Sequence, residues 1–218
     1  MHSLEWYTQI KKDQPIWRAL KKVEKAFSVS DVTLPVFYRL RIAEFAIRLK
    51  ERFHKKFGLF ICFGWVKKWN DYADIVDSTQ DIFREHHIRI FGFGQKSIQD
   101  LSDQRFMLKH VKELIDFDGA ILISKEGAII SSGVYLENLS PKDVSEEMRL
   151  GRVEDLSEAF GFAKKVHTRH LAAIAASYKL KGTTIFVMSE EDGSIRIFEK
   201  GKIIWSTMPS ETQKILER

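Results

Sequence analysis

Three short stretches of this chain carry residue types that can do chemistry on a phosphate. Thr168, Arg169 and His170 stand directly before a run of small and apolar residues, Leu171 to Ser177, that reads as a helix. A helix start presents free backbone N–H groups and the positive end of the helix dipole, and both favour an anion. Arg169 adds a two-pronged donor, Thr168 a hydroxyl, and His170 a donor in either charge state. Asp118 and Gly119 open the strand-like run Ala120 to Ile123. A carboxylate there can orient or deprotonate a hydroxyl, and Gly119 admits a close backbone approach. Ser189, Glu190 and Glu191 end a second strand-like run, Thr184 to Met188, and their oxygens suit a hard divalent cation. Each stretch also has an ordinary reading: an Asp-Gly turn, a helix cap with surface cations, and an acidic hairpin turn. Taken together, they suggest a nucleotide polyphosphate held between a cationic helix start and a carboxylate–metal pair.

The order Asp118-Gly119-Ala120, then Thr168-Arg169-His170 with Ala172 and Ala173, then Ser189-Glu190-Glu191, resembles the signature of the diadenylate cyclase domain. The likeness spans roughly residues 50–205, about one domain. It implies condensation of two ATP molecules into cyclic di-AMP with release of pyrophosphate, a second-messenger synthesis. It further implies catalytic roles for Asp118, Gly119, Arg169 and His170. ATP contacts would come from Ala120, Tyr135, Leu136, Thr168, Arg169, His170, Ser189 and Glu190, with Tyr135 and Leu136 against adenine. Asp118 and Glu191 would carry Mg²⁺ or Mn²⁺. Each subunit would bind one ATP, so two subunits must face each other in a homo-oligomer for the ring to close. The chain departs from the family pattern at His167, where glycine is usual, at Leu171, where a last arginine is usual, and at Phe117, where histidine is common. The stretch between Leu136 and His167 is also longer than in compact bacterial members, and the hairpin Asp192 to Phe198 looks archaeal in type. Two rivals are a non-catalytic ATP or cyclic di-AMP binding module and a nucleic-acid-binding protein. Retention of Asp118, Arg169, His170 and Glu191 opposes the first, and the scatter of basic pairs opposes the second.

The elements that must position these residues follow from periodicity. The 218 residues, 44% hydrophobic and 30% charged, suit one globular core with a small appendage. Residues 4–27 show helical spacing interrupted at Pro15, and 32–56 show a second helical pattern. Phe57 to Phe63 is continuously apolar, as a strand covered on both faces should be. Residues 71–86 have near-helical spacing, 88–91 read as a strand and 106–115 as a helix. Ala120 to Ser131 reads as a hairpin turning at 125–127, and 141–160 as charged helix or loop. After the 184–188 strand, Asp192-Gly193 turns into 194–198, and Gly201 into a last strand at 202–205. The expected class is α/β (α+β): a central mixed sheet flanked by helices, with a helical N-terminal extension over 1–30, the cyclase-like domain over 31–207 and a tail over 208–218. No apolar run is long enough for a membrane span, no signal peptide is legible, and the single cysteine, Cys62, suits a reducing cytoplasm. A net charge of +5 fits an anionic ligand without marking a nucleic-acid surface.

Overall fold

The computed structural model describes residues 2–52, 57–75, 119–127, 129–150, 155–208 and 210–211. The strand expected at 88–91, the helix expected at 106–115 and Asp118 lie outside the described residues. Within them, seven strands form one sheet: β1 Leu59–Trp65, β2 Ala73–Ile75, β3 Ala120–Ser124, β4 Ile129–Leu136, β5 Thr184–Met188, β6 Ile195–Glu199 and β7 Lys202–Ser206. Their spatial order is β2-β4-β3-β1-β5-β6-β7. β1 and β3 run parallel, and the remaining neighbours are antiparallel. The sheet is therefore mixed, as the sequence leads one to expect.

All seven residues of β1 are buried, because the strand is central and covered on both faces. Side chains alternate between faces. Leu59, Ile61 and Phe63 point to one apolar cluster, and Phe60, Cys62 and Trp65 to the other. The first cluster is closed by three helices: α1 His2–Ile10, α2 Gln14–Ser28 and α3 Val36–Arg52. In α2, Pro15 sits in the first turn, where a missing N–H costs nothing. Ile16, Leu20, Val23 and Phe27 then form one buried stripe at helical spacing. The second cluster is closed by α4 Pro141–Glu147, α5 Leu156–Ala159 and α6 Thr168–Lys179. Cys62 is fully buried there, and burial pushes its thiol far above the ordinary range.

One expectation needs correction. Of residues 71–86, which carry near-helical spacing, only 71–75 are described: Lys67–Tyr72 is a 3₁₀ turn and Ala73–Ile75 pairs with Val134–Leu136 as an edge strand. The free edge of β4 supplies backbone partners that no local pattern reveals.

A buried polar knot fixes the passage from α2 into α3. Arg39 and Glu199, both nearly fully buried, close an ion pair at 2.8 Å. Thr184 Oγ1 donates to the same carboxylate at 2.5 Å, and the Ser30 hydroxyl also bonds Glu199. The Arg39 guanidinium lies 4.4 Å above the Phe27 ring.

The strand registers bring distant positions to one end of the sheet. Leu59 pairs with Met188, Ala120 with Val134, and Met188 with Ile195. The starts of β1, β3 and β6 thus lie beside the ends of β4 and β5. Gly58, Gly119, Leu136, Ser189 and Ser194 all fall at this end.

Candidate active site

Helix α6 begins at Thr168, with His167 as its extended N-cap residue. Among the described residues the His167 side chain makes no capping hydrogen bond, while its backbone carbonyl accepts from the His170 N–H at 3.1 Å. The start of α6 and the β5–β6 turn enclose a cleft of about 330 Å³. Arg169, His170, Ser189, Glu190 and Glu191 line it. The structure thus joins two of the three stretches that the sequence singles out. Thr168 is exposed at the first position of α6, outside the cleft lining. Cations and carboxylates face each other across the cleft. Arg169 Nη1 lies 3.4 Å from Glu190, and His167 Nε2 lies 2.7 Å from Glu191. Lys164 pairs with Asp192 at 2.6 Å. Burial alone would raise the Asp192 carboxyl, but hydrogen bonds from Lys164, Ser194 and Ser189 outweigh it and hold the group far below the usual carboxylate range.

Arg169 owes its position to a glycine. A Cβ on Gly58 would stand 1.9 Å from Arg169 Nη1, so the guanidinium occupies space that any other residue would fill. Gly58 is the residue just before β1, which places Arg169 at the end of the sheet where the other stretches meet.

His170 has a different character from its neighbour. It is 6% exposed, and its ring meets Phe162 edge-on at 6.0 Å. Arg196 Nη1 lies 2.9 Å from His170 Nε2. A guanidinium can only donate, so Nε2 accepts and the imidazole proton resides on Nδ1. Burial, reinforced by the Arg196 charge, lowers the His170 pKa to about 4, so the ring is neutral at physiological pH. Arg196 is held in turn by Glu211 through two parallel contacts, Nε to Oε2 at 2.9 Å and Nη2 to Oε1 at 2.8 Å. Glu211 also accepts from Ser206 Oγ at 2.5 Å and from the Ala163 N–H at 3.2 Å. Burial would raise the Glu211 carboxyl, yet these hydrogen bonds and the guanidinium charge keep it below its ordinary value.

Gly119 stands at the start of β3 with φ +116°, a conformation that side-chain-bearing residues rarely adopt. A Cβ there would lie 2.8 Å from the Gly133 backbone. Ala120 is buried at the head of β3. Tyr135, 44% exposed, and the partly buried Leu136 end β4 beside it. These residues share the end of the sheet with the cleft but do not line it. Asp118 precedes Gly119 and lies outside the described residues. Among the described residues, no three His, Cys, Asp or Glu side chains gather as a ready metal cage.

The family model described as the DisA bacterial checkpoint controller nucleotide-binding (DAC) domain matches residues 48–203. The chain belongs to the diadenylate cyclase family. A diadenylate cyclase of Methanocaldococcus jannaschii is 33% identical over 99 residues, covering 45% of this chain and 26% of that protein. One from Haloferax volcanii is 32% identical over 99 residues, covering 45% of this chain and 30% of that protein. The matched region is thus about a quarter to a third of these relatives' length. Among solved structures, a double mutant of DacA from Staphylococcus aureus aligns over 94% of this chain and 95% of its own, at 18% identity and a TM-score of 0.41.

Family membership gives the departures from the usual pattern a structural setting. His167, at the position where the family usually has glycine, stands at the N-cap position of α6 and turns its side chain to Glu191. Leu171, at the position of the usual arginine, packs partly buried against the apolar cluster beneath α6. The guanidinium that touches His170 belongs to Arg196 on β6. Arg196, Glu211 and Gly58 were not singled out by the sequence reading. Arg196 lies in an alternating strand, Glu211 in a polar terminal stretch, and Gly58 at the head of an apolar run. Their roles exist only through contacts across the fold.

Proposed function

We propose that this chain condenses two ATP molecules into cyclic di-AMP, with two subunits presenting their clefts to each other. The observation that carries this reading is the cleft in which Arg169 and His170 at the start of α6 oppose Ser189, Glu190 and Glu191 at the end of β5. Each 3′-hydroxyl would attack the α-phosphorus of the facing ATP. Two O3′–P bonds form, two P–O bonds to pyrophosphate break, and the two hydroxyl protons are lost. Asp118 would orient the hydroxyl and accept its proton, directly or through a bound ion. Arg169, seated over Gly58, would grip the phosphates with both prongs, and the start of α6 would add its positive dipole end. His170 would donate from Nδ1 as a neutral ring, because Arg196 engages Nε2. Tyr135 would offer its exposed face to adenine, with Leu136 and Ala120 beside it. Glu191, whose carboxylate lines the cleft, and Asp118 would hold a divalent cation through their oxygens. Such an ion, Mg²⁺ or Mn²⁺, would neutralise phosphate charge and lower the hydroxyl pKa. On this reading residues 31–207 form the cyclase domain, 1–30 a helical extension and 208–218 a tail, and the protein works in the cytoplasm. Among the described residues, no helix is long and apolar enough to cross a membrane.

The partly buried Leu171, where the family usually has a cation, favours one alternative, a module that binds ATP or cyclic di-AMP without turnover. One experiment separates them. The protein is incubated with ATP and Mn²⁺ and the products are resolved by chromatography, beside the Asp118→Asn variant. Cyclic di-AMP from the native chain and none from the variant is the expected result. Bound ATP with no product would establish the binding module, and equal product from both would remove Asp118 from the mechanism.

A further inference from the structure

A second concavity lies on the opposite face of the sheet, where α2, α3 and β7 meet. It encloses about 770 Å³. Its floor is apolar: Ile47 of α3, Ile195 of β6, and Ile204 and Trp205 of β7. Along one wall, Pro15, Ala19, Ala26 and Val29 recur at helical spacing, and Val29 is 84% exposed. The groove therefore follows α2 from Pro15 to Val29, about 21 Å at the helical rise. A compact ligand does not need that length, whereas a helix of about four turns matches it.

The rim selects the charge of the occupant. Arg18, Lys22 and Lys25 form a stripe along α2, and Lys50 stands on the α3 side. None of the four makes an ion pair among the described residues, and Glu51 is the single acid of the lining. Among the described side chains elsewhere on these helices, Lys21 is engaged with Glu24, and Arg48 with Asp13 and Glu44. Among the described residues of α2 and α3, the cations without an ion pair are thus gathered along the groove. We propose that this groove docks an acidic amphipathic helix of a protein partner, its apolar ridge on the Ile204–Trp205 floor and its carboxylates against Arg18, Lys22, Lys25 and Lys50. A concave floor suits a convex helix better than a planar lipid surface, so the protein partner is the reading the shape favours.

The test uses the full chain and a fluorescein-labelled peptide of Leu, Ala and Glu, about four helical turns long, with its apolar residues on one face. Fluorescence anisotropy should show saturable binding that weakens with added salt. The double variant Lys22→Glu, Lys25→Glu should bind about tenfold more weakly or worse. Val29→Asp should weaken it as well. All three positions are exposed, and circular dichroism melting would confirm intact folds. A scrambled peptide of the same composition, with no apolar face, should bind at least about tenfold more weakly. Equal binding of the scrambled peptide, indifference to the charge reversals, or no binding at all would overturn the proposal. Phosphatidylglycerol vesicles that sediment the native chain but not the double variant, without peptide binding, would reassign the face to membranes and overturn it too.

Discussion

Arg196 at the start of β6 and Glu199 at its end each belong to a buried arginine–glutamate pair closed at 2.8 Å. Arg39–Glu199 ties α3 and the α2–α3 passage to the sheet, far along the strand from the cleft. Arg196–Glu211 borders the cleft and faces His170. Among the described residues, the first pair leaves Arg39 Nε buried without a hydrogen-bond partner. In the second, Arg196 is satisfied at Nε, Nη1 and Nη2, and the contact that completes it is the imidazole. Burial and ion pairing are the same in both, so neither marks a functional group. What distinguishes them is whether the pair's last free donor points at a cleft residue or into packing.

Removing one partner tests that contrast most strongly. Glu199→Ala leaves the Arg39 charge buried alone and should cost about 3–5 kcal/mol, measured by denaturant unfolding. ATP affinity of the folded protein should hardly change. Glu211→Ala should destabilise comparably and also weaken ATP binding, because His170 loses its fixed partner. Equal loss of affinity in both variants would erase the distinction.

A pH titration of stability sharpens it. The unfolded His170 protonates near 6.5, whereas the native ring resists until about 4. Its contribution is therefore complete above about pH 6.5 and is lost as the pH falls to about 4, amounting to on the order of 3 kcal/mol. His170→Gln keeps an acceptor for Arg196 and removes the titration. The slope of stability across that window should flatten in the variant, and an unchanged slope would place the proton uptake elsewhere.

The smallest expected effect on the fold belongs to Gly58→Ala. The atoms nearest the new methyl all belong to the far end of a flexible side chain, so the unfolding midpoint should scarcely move. Arg169 must leave its seat, and ATP affinity should fall by about 1.5–3 kcal/mol, the loss also expected for Arg169→Ala. Adenosine affinity should stay level in both. A Gly58→Ala protein that binds ATP normally would show that Arg169 has another productive position.

How much of this was legible in the sequence follows from how far each feature's cause lies along the chain. β1 and β5 show in their apolar runs because both faces of these strands are covered, which leaves a local trace. The placement of Arg169 and His170 at a helix start shows because small-residue helices announce themselves. The strand at 73–75 does not show, because its pairing depends on β4, far away in sequence. Glu211 reads as one more polar residue in a terminal stretch, and only Arg196 and Ser206 make it a buried counter-charge. The Tyr135 and Leu136 positions come from family likeness, and the fold sets them at the same end of the sheet as the cleft, outside its lining.

The contact between Gly119 and Gly133 has a consequence for how such a chain can drift. Backbone meets backbone there, so no rotamer change can relieve an added methyl, and the φ of +116° at Gly119 penalises a substitution independently. Compensation at a second position is also closed off, since its partner already has the smallest side chain. The two codons are thus coupled without any coordinated exchange that could reveal it: lineages would hold both fixed while the surrounding strands vary.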